Sequence, residues 1–400
     1  MISISSKESR LLIFTSVSHA ISDGWYFLYP SLLFLMAPQY DNDFVFLGLL
    51  ANIFLVATGI SGTFAGLLSD IFRMRVLFAA FSILCCLGCL LVFYSSDKIS
   101  ISLGLFLLGA GNGIYHPVGL ASITRHIRNS ANGLGIHGLN GSIGGSIVPV
   151  LAISIGFAYG WKTPFALAAI VSILVLLILP LIPEDFDRPI LNKSALISKL
   201  LVSKLVDKHM LVLYCIVLFR EFARIGFLFF LATALLSYSV LGKDHILGVS
   251  YAGFFVSFVV ASGGVGAFIG GKVARFISYE RMLFLICLAA VPLLLGFGFA
   301  GGVSILILAP LISFLFNAGD PLVGGLLGKY LPTAMHGQGF AILHAGTHVI
   351  GSLVGLLGGV IAYYYGVSWV FTVMGMFLLF AVVVNRVLLW SDDRTKMVST

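Results

Sequence analysis

The chain has 400 residues, of which 59% are hydrophobic and only 10% charged, and its mean hydropathy is +1.08. Soluble domains carry about 25% charged residues, so this composition excludes a soluble enzyme and points to an integral, all-α membrane protein. The net charge of +7 does not indicate a nucleic-acid partner, because the basic residues are spread over short loops and form no stripe.

A stretch of ~20 apolar residues spans the ~30 Å hydrocarbon core. Twelve such spans are predicted, at about 11–37, 44–69, 76–95, 100–124, 131–157, 162–183, 210–240, 246–271, 282–300, 303–328, 335–362 and 367–390. The first has no small-residue cleavage site behind a short apolar core, so it is expected to stay as a helix. Lys7, Arg10, Arg73, Arg75, Arg125, Arg128 and most later basic residues fall on one side of the alternating loops, while Lys98, Lys162 and Lys243 fall on the other. The positive-inside rule then predicts both termini in the cytoplasm of a cell (inner) membrane.

Six spans lie in each half. The expected organisation is an N-terminal six-helix bundle over 1–183, a cytoplasmic linker over 184–208 and a C-terminal six-helix bundle over 209–400. In the linker, Lys193, Lys199, Lys204 and Lys208 alternate with Leu196, Leu200, Leu201 and Leu205, the pattern of an amphipathic helix on the membrane surface. The halves also repeat each other. Asn317-Ala318-Gly319-Asp320-Pro321 follows Asn112-Gly113-Ile114-Tyr115-His116-Pro117 by about 204 residues, as His336-Gly337-Gln338-Gly339 follows Asn132-Gly133-Leu134-Gly135. Duplicated halves with polar residues at matching depths are how secondary transporters are written.

Ionisable side chains inside a bilayer are costly unless paired or wet, so they mark function. In chain order they are His19 and Asp23 on the first span, His116 on the fourth, His137 on the fifth, Arg220, Glu221 and Arg224 on the seventh, Asp320 on the tenth, and His344 and His348 on the eleventh. His19 and Asp23, Asn112 and His116, Arg220 and Arg224, and His344 and His348 are each spaced i, i+4 and share a helix face. Glu221 is expected to pair with Arg224, while Arg220 should point away from Glu221 and take a carboxylate from another helix, Asp23 or Asp320.

With histidines neutral, Asp23, Glu221 and Asp320 outnumber Arg220 and Arg224 by one negative charge. A desolvated carboxylate without a cation gains proton affinity, which makes Asp23, His19, Glu221 and Asp320 the candidates for proton coupling; Na⁺ would balance the same charge. Arg220, Arg224, His116, Asn112, His137, Asn140, Asn317, His344 and His348 are the candidate substrate-binding residues. The plainer role for His137, Asn140 and Asn317 is hydrogen bonding between helices. The glycine-rich fifth and eleventh spans are expected to pack closely and to slide. The cysteines, three of them Cys85, Cys86 and Cys89, read as packing residues, and neither a metal cofactor nor any other cofactor is called for.

Gly66-Leu67-Leu68-Ser69-Asp70-Ile71-Phe72-Arg73-Met74-Arg75, between the second and third spans, resembles the loop signature of the major facilitator superfamily. That resemblance implies two bundles that rock about a central cavity, and a gating role for Asp70, Arg73 and Arg75. Within the superfamily, His19 with Asp23, Tyr115-His116-Pro117, and Asn140-Gly141 followed by Gly144 and Pro149 resemble the fosmidomycin-resistance-protein group. This likeness implies proton-driven export of small anionic or amphiphilic compounds by a protein whose partners are substrate, protons and lipid, expected as a monomer. Two alternatives stand beside it: a divalent metal carrier using His19, Asp23, His116, Asp320, His344 and His348, and a sensor or scaffold that transports nothing. No nucleophile and base pair or metalloprotease spacing suggests an enzyme.

Overall fold

The computed structural model describes residues 5–69, 71–128, 130–187, 207–237, 245–274, 276–301, 303–331 and 336–399. These residues form α-helices joined by short turns: α1 (Ser6–Met36), α2 (Phe44–Leu68), α3 (Met74–Phe93), α4 (Lys98–His126), α5 (Ser130–Tyr159), α6 (Thr163–Ile178), α7 (Lys208–Ser237), α8 (His245–Val273), α9 (Tyr279–Phe297), α10 (Val303–Ala318), α11 (Asp320–Tyr330), α12 (His336–Ala345), α13 (Leu353–Tyr365) and α14 (Val367–Ser399). Helices satisfy every backbone group internally, which is the condition for crossing hydrocarbon. Among the described residues, ten helical stretches are long and apolar enough to cross a membrane. Neither α1 nor α7 is among them; these two helices carry His19, Asp23, Arg220, Glu221 and Arg224.

The predicted spans match this order with two differences. The tenth span is two helices, because the chain breaks at Gly319 ahead of Pro321, which has no N–H to continue the ladder. The eleventh is interrupted by a π-turn over Gly346–Ile350, closed by Gly351 N–H donating to the Gly346 carbonyl at 3.0 Å. Such bulges recur at functional sites. The amphipathic linker helix lies outside the described residues for 188–206.

Helix starts are fixed by side chains. Ser5 and Glu8 form a capping box on α1, Asp43 accepts from Phe46 N–H at 2.9 Å at the start of α2, and Asp97 accepts from Ile99 and Ser100 N–H at 2.8 Å at the start of α4. Glu8 also accepts from Arg128 N–H at 2.7 Å, and that bond holds its carboxyl below the usual carboxylate range.

α1 packs on α5 and α4, α3 on α4 and α6, and α2 on α4; α14 packs on α7 and α9, and α8 on α10. Between these groups, α2 lies against α13 and α5 against α8. Near the ends of α1 and α7 remote from the chain termini the contact is tight: Asn52 Nδ2 donates to Ser352 Oγ at 2.9 Å, Val150 N–H donates to Ser257 Oγ at 3.2 Å, and Tyr29 meets Phe229 with ring centroids 5.6 Å apart. Toward the other end, Ile136 and Leu139 of α5 and Val265, Phe268 and Ile269 of α8 are exposed.

Candidate functional site between the helices

Near the middle of α1, His19 and Asp23 face α4 and α5. His19 Nδ1 lies 2.7 Å from the His137 carbonyl oxygen. A carbonyl only accepts, so Nδ1 carries the proton, and a neutral His19 turns the lone pair of Nε2 toward Asp23. That Nε2 is 3.4 Å from Asp23 Oδ2, and His116 Nε2 is 3.4 Å from Asp23 Oδ1. Neutral His19 and ionised Asp23 thus confront each other as two acceptors, a pairing that needs a positive charge between them.

A second layer holds this pair in place. Tyr115 donates its hydroxyl proton to the Thr15 carbonyl and sits 2.9 Å from His137 Nε2, so the Tyr115 oxygen accepts from that ring. The His137 ring stacks on His19 at 3.8 Å between centroids. Ser22 donates to Asn112 Oδ1 at 2.8 Å and lies 3.5 Å from His116 Nε2. A Cβ on Gly141 would stand 2.4 Å from Asp23 Oδ2 and from His19 Cε1, so only glycine lets α5 approach the pair this closely. Sequence reasoning did not single out Tyr115, Ser22 or Gly141 as site residues, although Tyr115 adjoins His116 and Ser22 adjoins Asp23.

The second cluster is built on α7. Arg220, 1% exposed, donates to Glu221 Oε1 at 3.0 Å and also binds Asp320 and the Phe316 carbonyl. Arg224 Nε donates to Glu221 Oε2 at 2.7 Å. Of the two acids proposed for Arg220, the structure selects Asp320. The expectation that Arg220 points away from Glu221 is overturned, because its long side chain folds back to bridge both acids. Gly319 makes room for it: a Cβ there would lie 3.1 Å from Arg220 Nε and Nη2. Two guanidinium groups therefore face two carboxylates, and Asp23 is left with imidazoles only.

His344 and His348 share one face as expected, with ring centroids 4.1 Å apart. They look across to the first cluster, His344 being 6.4 Å from the His116 ring and His348 6.2 Å from Tyr26. His348 Nδ1 donates to the His344 carbonyl at 3.1 Å, while His344 Nε2 is buried with no hydrogen-bond partner. Tyr26 also lines a crevice with Phe27, Phe54, Phe229 and Arg224. Asn140 and Asn317 are not drawn into either cluster: each donates back to its own helix, to Ile136 and Ser313 carbonyls at 2.9 and 2.8 Å. Arg75 binds Asp187 through its backbone N–H at 2.9 Å, and its guanidinium donates to the Ile182 carbonyl. Arg73 occupies the N-cap position of α3, and Asp70 lies outside the described residues.

The family is decided by a match over residues 15–323 to the model described as Major Facilitator Superfamily. The chain belongs to that superfamily. Similar solved structures include a bacterial homologue of the human lysosomal transporter Spinster in an inward-facing and occupied conformation, at 14% identity and a TM-score of 0.78 over 96% of this chain and 97% of that one. The nucleoside transporter NupG aligns at 13% identity and a TM-score of 0.78, over 95% of this chain and 99% of its own. A peptide transporter POT in complex with sulfate aligns at 14% identity and 0.74, over 97% and 94%. At these identities the likeness is one of fold. No curated protein sequence is a significant match. This major facilitator is a multi-pass membrane transporter, not an enzyme.

Proposed function

We propose that the chain is a proton-coupled antiporter that exports small anionic or amphiphilic compounds across the cell (inner) membrane by alternating access. The observation that carries this reading is the confrontation of His19 Nε2, Asp23 and His116 Nε2 at 3.4 Å, which a proton resolves by occupying the space between two acceptors. Glu221 and Asp320 are already balanced by Arg220 and Arg224, so coupling falls to Asp23 with His19 as its partner. The Asp23 side chain is 28% exposed, which gives protons a route to it.

Cargo recognition falls to the crevice of Tyr26, Phe27, Phe54 and Phe229, whose apolar rings, with the Glu221-paired guanidinium of Arg224 at their edge, suit the apolar part of an amphiphilic compound. The units that move are 1–183 and 209–400, joined by 184–208. With both termini cytoplasmic, the closed contacts at Asn52–Ser352 and Tyr29–Phe229 seal the outer side, and the exposed ends of α5 and α8 open a path from the cytoplasm. This is the state in which an exporter loads. The likeness of His19, Asp23 and Tyr115-His116-Pro117 to the fosmidomycin-resistance-protein group supports the same direction. Arg75, clamped to the first residues of the linker, ties movement of the first unit to the connection between them.

Reconstitution in liposomes with a lumenal pH dye tests the reading. Candidate anions should drive proton movement in the wild type, and Asp23→Asn should abolish that movement while the protein stays folded. An unchanged proton signal in Asp23→Asn would move the coupling role elsewhere. No flux with any cargo class would favour a sensor.

A further inference from the structure

We infer that His19, Asp23 and His116 form a binding site for a borderline divalent cation of the zinc class. The donor atoms of the three residues all lie within 4.8 Å of one another, and the two that flank Asp23 are each 3.4 Å from a carboxylate oxygen. Charge-assisted N–H···O⁻ bonds are shorter, at about 2.7–2.9 Å. A separation of 3.4 Å is instead close to the edge of a tetrahedron whose centre lies about 2.0–2.1 Å from each ligand, the bond length of zinc to imidazole and carboxylate. Each imidazole thus stands at nearly a ligand–ligand spacing from its own oxygen of Asp23, Oδ2 for His19 and Oδ1 for His116, and a metal would draw the three donors together from within 4.8 Å.

The second layer points the same way. Metal-ligating imidazoles almost always donate their remote N–H to a carbonyl or carboxylate, which fixes the ring and bares the other nitrogen. His19 does this through Nδ1 to the His137 carbonyl at 2.7 Å, and the bond from His137 to Tyr115 anchors the segment that supplies that carbonyl. Three protein ligands with a fourth position open describe an exchangeable site rather than a sealed structural one. The side chains of Asp23 and His116 are 28% and 27% exposed, so that position is accessible. Across it stands His344, whose Nε2 is buried without a partner and whose ring is 6.4 Å from His116. The arginines nearby do not oppose a cation, because Glu221 and Asp320 neutralise them.

The inference rests on ligand geometry and holds whichever ion is coupled, so a binding measurement separates it from the transport reading. Tag-free full-length protein in detergent is titrated with Zn²⁺ by calorimetry and with Co²⁺ by visible absorption. One equivalent should bind, with the intense d–d bands of a low-coordinate Co²⁺ site. Asp23→Asn and His116→Gln should each weaken binding by at least ~10-fold, and His209→Gln, at an exposed surface position, should leave it unchanged. X-ray absorption on the Zn²⁺-loaded wild type needs no variant and should report two imidazoles and a carboxylate oxygen. Stoichiometric binding that ignores both variants, fewer than two imidazoles at the zinc, or no binding at all would overturn the site.

Discussion

The repeat puts the same slot in both halves and fills it with opposite chemistry. In the first half His116, just before Pro117 on α4, meets Asp23 of α1; in the second, Asp320, just before Pro321 at the start of α11, meets Arg220 of α7. α4 runs unbroken through its proline, whereas the second half breaks at Gly319, where Arg220 joins the Gly319 N–H in donating to the Phe316 carbonyl and lies beside the glycine. One slot holds a carboxylate among imidazoles, each able to gain or lose a proton. The other holds a fixed, charge-balanced clamp that joins α7, α10 and α11. A mobile cation has work to do only in the first.

The sharpest way to break this contrast is to remove the clamp. Arg220→Ala leaves two carboxylates, Glu221 and Asp320, to the single guanidinium of Arg224 and should cost about 3–5 kcal/mol, read as a large fall in melting temperature. Asp23→Asn, which removes no fixed countercharge, should change stability by under about 1 kcal/mol. Equal losses would mean that Asp23 is structural too. Within the clamp, Glu221→Gln should destabilise more than Asp320→Asn, since their side chains are 7% and 45% exposed and water screens the outer acid; thermal melts of the two variants check the order.

A smaller effect is expected from Gly141→Ala, whose methyl would push into Asp23 and His19. Overpacking there should cost about 1–3 kcal/mol and impair proton movement, while an Arg220→Lys background shifts its melting temperature additively because the two sites share no partner. Proton movement that survives Gly141→Ala would show that the pair tolerates displacement. The least change should follow Asp97→Ala, outside both slots. The bonds from Ser100 and Ile99 N–H hold the Asp97 carboxyl below its ordinary value. A lowered folded-state value means that this cap helps above the unfolded-state value of about 3.9 and is lost as pH falls through and below it. Wild type and Asp97→Ala should therefore differ slightly at pH 7 and draw together in melting experiments as the pH falls through the lowered folded-state value of Asp97.

The helices, their order and ten of the twelve spans were legible because hydrocarbon leaves so few choices: a 20-residue apolar run has to be a helix, and a charge within it has to be paired or wet. Pairings were less so. Helical spacing placed His344 beside His348 (i, i+4) and Glu221 beside Arg224 (i, i+3) correctly, since both depend on a single helix. It misjudged Arg220 because a guanidinium on a long stem reaches sideways as well as along the helix, and it passed over Tyr115 and Gly141 because their roles exist only where α4 and α5 press on α1.

By itself the sequence determined that this protein lives in a membrane, that its two halves follow one plan, and that one acid exceeds the available arginines; these follow from composition, period and charge. Only the tertiary structure decided which acid that is. Coulomb attraction and hydrogen bonding act over a few ångströms, so it took the docking of α7 against α10 and α11, and of α1 against α4 and α5, to give Asp320 its arginine and leave Asp23 facing histidines.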